Sequence, residues 1–156
     1  MIYFYRFAGL VASIALLTYL ALVFLVLAGI KATITLAGIA GLILSVGMAV
    51  DANVLIFERI KEELEKGRTT LTAINIGFSR AFTAILDSNI TTVIAGVVLF
   101  IVASGSIRGF AVVLLVGTFA SIISAFFLTR FLLRLAARAG MIKNVAYLGI
   151  RVREVL

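Results

Sequence analysis

The sequence predicts an all-α integral membrane protein: a four-helix transmembrane bundle with amphipathic cytoplasmic segments. Three observations predict it. Hydrophobic residues make up 63% of the 156-residue chain and charged residues only 13%, against about a quarter in soluble domains, so the excess apolar surface must face lipid. Four apolar runs are long enough to cross a bilayer core, which takes about 20 helical residues. Of the 14 Lys and Arg residues, all but Lys31 and Arg108 fall on one side of such a bundle. That side is expected to be cytoplasmic, and both termini with it.

Composition also limits the chemistry. There is no cysteine and no histidine, which removes disulfides, thiolates, the usual proton shuttle and the commonest metal ligand. Any proton chemistry must use carboxylates. The net charge of +7 is read as cytoplasmic loops beside anionic lipid rather than as a nucleic-acid surface. No Ser–His or Cys–His pair, phosphate-cradling loop or metal cluster is present, so no enzyme, no metal and no bound cofactor are expected.

In chain order, Met1 to Arg6 is aromatic and ends in one cation, as suits a membrane interface. The first span runs from about 7 to 30, too long for the apolar core of a signal peptide, and Lys31 marks its far side. The second runs from about 33 to 57. It begins with small residues, among them Ala37, Gly38 and Gly41, that let another backbone approach closely. Beyond Phe57 the helix is expected to continue as a solvated stalk to Lys66, with Glu62 and Lys66 paired one turn apart and Gly67 as the stop. Glu62, Glu63 and Glu65 read as a solvated face rather than an acid or metal site.

Thr69 or Thr70 can then cap a short amphipathic helix on the membrane surface, with Leu71, Ile74 and Phe78 on one side. The third span follows Arg80, from 81 to about 102. Residues 103–109 read as a turn, and the fourth span covers about 110–129. From Arg130 the chain is basic and amphipathic: Arg130, Arg134 and Arg138 share a face, and a basic tail over 141–156 is expected to lie on the anionic leaflet. The transmembrane bundle is thus assigned to 1–140.

The second span holds the residue that stands out. Asp51 lies inside the apolar run, about two turns before Glu58 and Arg59, where the run becomes polar. An ionisable side chain at such depth costs about 2.5–3.5 kcal/mol or more, and marks a functional site by default. Asp87 lies about two turns after Arg80. If Arg59 and Arg80 anchor at the cytoplasmic interface, both carboxylates lie about 10–12 Å below it. Carboxylates enclosed at one depth resist full joint ionisation, which suits them to proton transfer. Only Asn53 is near enough in sequence to bond Asp51. Asp87 precedes Ser88, Asn89, Thr91 and Thr92, so a structural polar network is as reasonable for it as proton transfer. No cation within the four spans reaches the depth of Asp51, so either it rests protonated or another chain supplies an Arg or Lys.

The run Gly47-Met48-Ala49-Val50-Asp51-Ala52-Asn53-Val54-Leu55-Ile56-Phe57-Glu58-Arg59-Ile60-Lys61-Glu62-Glu63-Leu64 closely resembles the signature of the bacterial SecD family. So do Gly77-Phe78, Arg80-Ala81-Phe82, Ile85-Leu86-Asp87-Ser88-Asn89-Ile90-Thr91-Thr92 and Arg108-Gly109-Phe110-Ala111-Val112. The resemblance covers about residues 7 to 135. It implies the C-terminal transmembrane part of a SecD subunit, with a fold of the type shared by SecD and the RND superfamily of proton-driven transporters.

Such a subunit pairs with a SecF-like subunit in the bacterial inner membrane. It uses the proton-motive force, with protons as the coupling ion, to assist export through the SecYEG channel after SecA. The resemblance makes Asp51 the proton-carrying residue, with an arginine and a further aspartate coming from the SecF half. Family members have six spans and a large periplasmic region between the first two; only the last four spans match here, so contact with the exported polypeptide would need that region. Members often carry proline where this chain has Ala37 and Ser106. Two other functions remain in play: the membrane half of an RND-type exporter of lipids or small molecules, and a packed scaffold in which Asp51→Asn would change nothing.

Overall fold

The computed structural model describes residues 2–138, with side chains from 9 to 135. The helices are α1 (Ile2–Gly29), α2 (Leu36–Glu65), α3 (Thr70–Val102) and α4 (Ser106–Ile123), the last continued by a π-helical stretch, Ser124–Thr129, and by α5 (Arg130–Arg138). Four helical segments are long and apolar enough to cross a membrane, and no strand occurs among the described residues. The basic tail expected over 141–156 lies outside the described residues.

Local chemistry sets the helix ends. Thr35 precedes α2 in extended conformation, and its Oγ1 accepts the Gly38 N–H at 3.1 Å, satisfying one of the donors that a helix start leaves free. Gly67, at φ +77°, ends the stalk, and Gly105, at φ +59°, turns the chain into α4. Both sit in the left-handed region that a side chain disfavours. The α1–α2 and α3–α4 connections meet at one end of the bundle, where Gly109 packs against Thr35.

α4 packs mainly against α2 and α3, and α2 also packs against α3. These contacts are close because small residues meet. A Cβ on Gly117 would lie 2.5 Å from the Ser45 Cβ, and one on Gly77 would lie 2.8 Å from the Ile60 backbone. Tyr19 of α1 reaches the same level and donates from its hydroxyl to Ser45 Oγ at 2.8 Å, while Ser45 donates to the Leu42 carbonyl at 2.9 Å. Small residues and internally paired hydroxyls are what membrane helices use where the hydrophobic effect gives no drive to associate.

The structure departs from the sequence reading in three places. The surface helix expected over 71–78 is instead the first part of a continuous α3. Its apolar face has protein to cover: Ile74 and Phe78 are buried in a cluster with Ile56, Ile60 and Leu64 of the stalk. Gly77 is not a break but the point where α2 passes. The turn is shorter than 103–109, since α4 starts at Ser106. The helix of the fourth span also carries an irregularity that the sequence reading did not include. It runs through the π-helical stretch to Arg138, with Leu133 buried and Arg134 Nε donating to Asn75 Oδ1 of α3 at 3.1 Å.

Gly77→Leu is expected to destabilise the chain in detergent by about 1–3 kcal/mol, because Ile60 backbone rather than a movable side chain fills the space. Gly47→Ala, where nothing lies within 4 Å, should change stability by no more than about 1 kcal/mol in either direction. Equal thermal unfolding of the two variants would contradict this crossing.

Candidate functional site

The inward face of α2 is set by Gly38, Gly41, Ser45, Ala49, Ala52, Asn53 and Ile56, all buried. Residues three and four apart on the other side form an exposed stripe of Leu36, Ile39, Ala40, Ile43, Leu44, Gly47 and Asp51. On α3, Asp87 and Thr91 are likewise exposed. The expectation that both carboxylates are enclosed by this bundle is therefore corrected. The cause is periodicity: the small residues that meet α4 and α3 occupy one side of α2, and Asp51 falls about 100° from Ala52.

The register of the two helices agrees with a common depth. They run antiparallel, with Ile60 beside Gly77, Glu63 bonded to Arg80, and Thr92 Oγ1 3.9 Å from Met48 Sδ. Asp51 and Asp87 lie between these fixed points at about the same level. Neither takes part in an ion pair among the described residues, and no hydrogen bond joins them. Gly47, one turn from Asp51, has open space where a Cβ would be. The face that carries the carboxylate is thus shaped for another backbone to approach.

The supporting polar residues take other roles than sequence proximity suggests. Asn53 does not reach Asp51. It is buried on the opposite side, where its Nδ2 donates to the Ala49 carbonyl at 3.1 Å and its Oδ1 accepts from Thr129 Oγ1 at 2.9 Å. Asn89 is buried and donates to the Ile85 carbonyl at 2.8 Å. Thr91 Oγ1 bonds the Asp87 carbonyl at 3.4 Å, and Thr92 Oγ1 the Ser88 carbonyl at 3.3 Å. These are bonds back to the helix's own backbone, and none neutralises the Asp87 carboxylate.

Thr129 ends the π-helical stretch, and Ser124 begins it by donating to the Ala15 carbonyl of α1 at 2.8 Å. Such stretches recur at functional sites. Here one is held at both ends, and one of its ties goes to Asn53, two residues from Asp51. The sequence reading missed Thr129. Its signal was a lone threonine at the end of an apolar run, where the start of the basic segment drew the boundary instead.

At the polar end of α2, Glu58 and Lys61 lie 3.9 Å apart, and Arg59 pairs with Glu62 at 2.8 Å. Glu63 is not part of a solvated face. Its side chain is fully buried, with Oε1 2.6 Å from Lys66 Nζ and 2.9 Å from Arg80 Nη1. Arg68 Nε stands 2.8 Å from Oε2 without aiming its N–H at that oxygen. Lys66 thus bonds Glu63 rather than the expected Glu62. Arg80 does more than anchor at the interface: through Glu63 it fastens α3 to the stalk.

Comparison with known proteins decides the family. Residues 1–139 match the family described as protein export membrane protein SecD/SecF, C-terminal. The chain belongs to this SecD/SecF family. The protein translocase subunit SecD of Acidaminococcus fermentans is 53% identical over 96% of this chain, and that of Rickettsia prowazekii is 53% identical over 85%. The chain spans 36% of the first of these relatives and 26% of the second. The crystal structure of SecDF from Thermus thermophilus, a translocon-associated membrane protein, superposes with a TM-score of 0.87 at 46% identity. It covers 90% of this chain and 20% of that one. A super-membrane-facing form of SecDF gives a TM-score of 0.80 at 50% identity, over 83% of this chain and 18% of that one. These names favour protein export over the lipid-exporter alternative. With four helices long and apolar enough to cross a membrane, the chain is a multi-pass membrane member of the SecD/SecF family.

Asn53→Ala and Thr129→Val should each lower stability by about 1–2 kcal/mol, and the double variant by clearly less than their sum. Strict additivity in a double-mutant cycle, read by unfolding in detergent, would show that the bond between them contributes nothing.

Proposed function

We propose that this chain is the transmembrane part of a SecD subunit that works with a SecF-like subunit in proton-motive-force-driven protein export. Asp51 is its proton carrier, with Asp87 beside it at the same depth, and protons are the coupling ion. The observation that carries this reading is the position of Asp51: unpaired among the described residues, on an outward face opened by Gly47. A carboxylate in low dielectric demands a proton or a cation. A second subunit packed on this face would supply an arginine or lysine that competes with the proton for Asp51.

The proton and the cation then select different arrangements of one helix. With Asp51 ionised, the interface holds the partner's cation close. With Asp51 protonated, that attraction is lost and α2 is free to shift. The shift is felt along a long, stiff element. Asn53 transmits it to the π-helical stretch through Thr129, and Glu63 transmits it to α3 through Arg80. A region on the opposite side of the membrane, outside this sequence, would turn the shift into pulling on a polypeptide emerging from SecYEG after SecA. We place the chain in the bacterial inner membrane with both termini cytoplasmic, an orientation that the cation distribution supports.

Asp51→Asn keeps the shape and removes the titration. In membranes containing the partner and the translocon, it is expected to reduce the stimulation of preprotein export by the proton-motive force about tenfold or more, a proton-transfer group being worth about 10²–10⁴ in rate. Co-purification with the partner should persist. Full stimulation in the Asn variant would overturn the assignment and leave a packed scaffold as the better account.

A further inference from the structure

Between α3 and the fourth span, on the cytoplasmic half, lies a cavity of about 700 Å³, within the range of small-molecule sites. Export chemistry makes no use of it. Its walls are aromatic: Phe82 and Phe126 meet edge to face with centroids 4.5 Å apart, and Phe78 lies 6.3 Å from Phe126. Phe131 extends the wall on an exposed flank of the helix. Among the described residues two cations line it, Arg130 and Arg134, and no carboxylate does.

Arg130 is the residue that asks for a ligand. Its Nε is buried and donates to nothing, and its guanidinium lies 5.8 Å from the Phe78 ring centroid, a contact that leaves the N–H donors unused. A buried donor without an acceptor is costly, and more so when charged. Arg134 spends Nε and Nη2 on Asn75 Oδ1, which holds its guanidinium at the rim with further donors to offer. Two guanidiniums converging over an apolar, aromatic slot present donors for a phosphate at one end and hydrocarbon contact at the other.

We propose that this cavity holds one anionic phospholipid of the cytoplasmic leaflet, its phosphodiester on Arg130 and Arg134 and an acyl chain along Phe82, Phe126 and Phe127. The depth fits. Arg130 ends the apolar run of the fourth span, where headgroups lie, Phe126 and exposed Phe127 fall on its membrane side, and Phe131 lies level with the headgroup. A free phosphate would satisfy the arginines but leave the slot empty; a zwitterionic lipid would fill the slot but bring its own cation. The occupant would also bridge α3 to the segment just beyond the π-helical stretch.

The test is native mass spectrometry of the full chain released from mixed micelles of phosphatidylglycerol and phosphatidylcholine, with inorganic phosphate as the competing small anion. One phosphatidylglycerol should be retained about tenfold or more over phosphatidylcholine, as two basic side chains near anionic lipid imply. Inorganic phosphate should not displace it. Arg130→Gln combined with Arg134→Gln should abolish the preference. Ser79→Trp, which fills the cavity and leaves both arginines in place, should expel the lipid. Equal retention of the two lipids, displacement by phosphate alone, or a preference that survives either the double substitution or Ser79→Trp would overturn the proposal.

Discussion

A carboxylate inside an apolar span must be met by a proton, a cation or a set of donors, and among the described residues Asp51 meets no cation and no side-chain donor. The chain gives its inward faces to packing and leaves this residue outward. Ser45, Tyr19, Asn53, Thr118, Ser121, Ser124 and Thr129 are all buried, and each has a hydrogen-bond partner inside the bundle. Among the described residues the buried exceptions are Glu63 Oε2 and Arg130 Nε. Asp51 sits on the outward surface, where the proposed second subunit would cover it.

The rest of the structure holds α2 while leaving that surface open. α4 lies against its small-residue side, α3 crosses where Gly77 admits Ile60, and Arg80 reaches Glu63 at the polar end of α2. These contacts make the helix a rigid element with few places to bend. The π-helical stretch is the irregular part of the long fourth helix, and it is tied to α1 through Ser124 and to α2 through Thr129. A displacement of α2 near Asp51 cannot occur without changing the Asn53–Thr129 bond.

Much of this was legible in the sequence because membrane physics writes in long runs. The four spans, the stop at Gly67 and the depth shared by Asp51 and Asp87 follow from apolar length, punctuation and rise per residue. What was not legible depends on which side of a helix meets protein. Ile74 and Phe78 form the same stripe whether they face lipid or the stalk. Glu63 reads like Glu62 and Glu65 until Lys66, Arg68 and Arg80 converge on it. Asn53 is near Asp51 along the chain but faces away from it, so adjacency suggested a bond that helical geometry does not allow. Asp51 itself was expected inside the bundle, since a deep charge suggests enclosure; it lies instead on the outward face of α2.

The most direct measurement uses the absence of cysteine from the chain. Single cysteines at Leu44 and at Leu25, both exposed and apolar, would be cross-linked in membranes that contain a SecF-like partner. Leu44 lies on the stripe with Gly47 and Asp51, and Leu25 on α1. The account predicts that Leu44→Cys couples to the partner and that Leu25→Cys does not. Coupling from Leu25→Cys with none from Leu44→Cys would place the partner on another face and leave Asp51 without the cation this account requires.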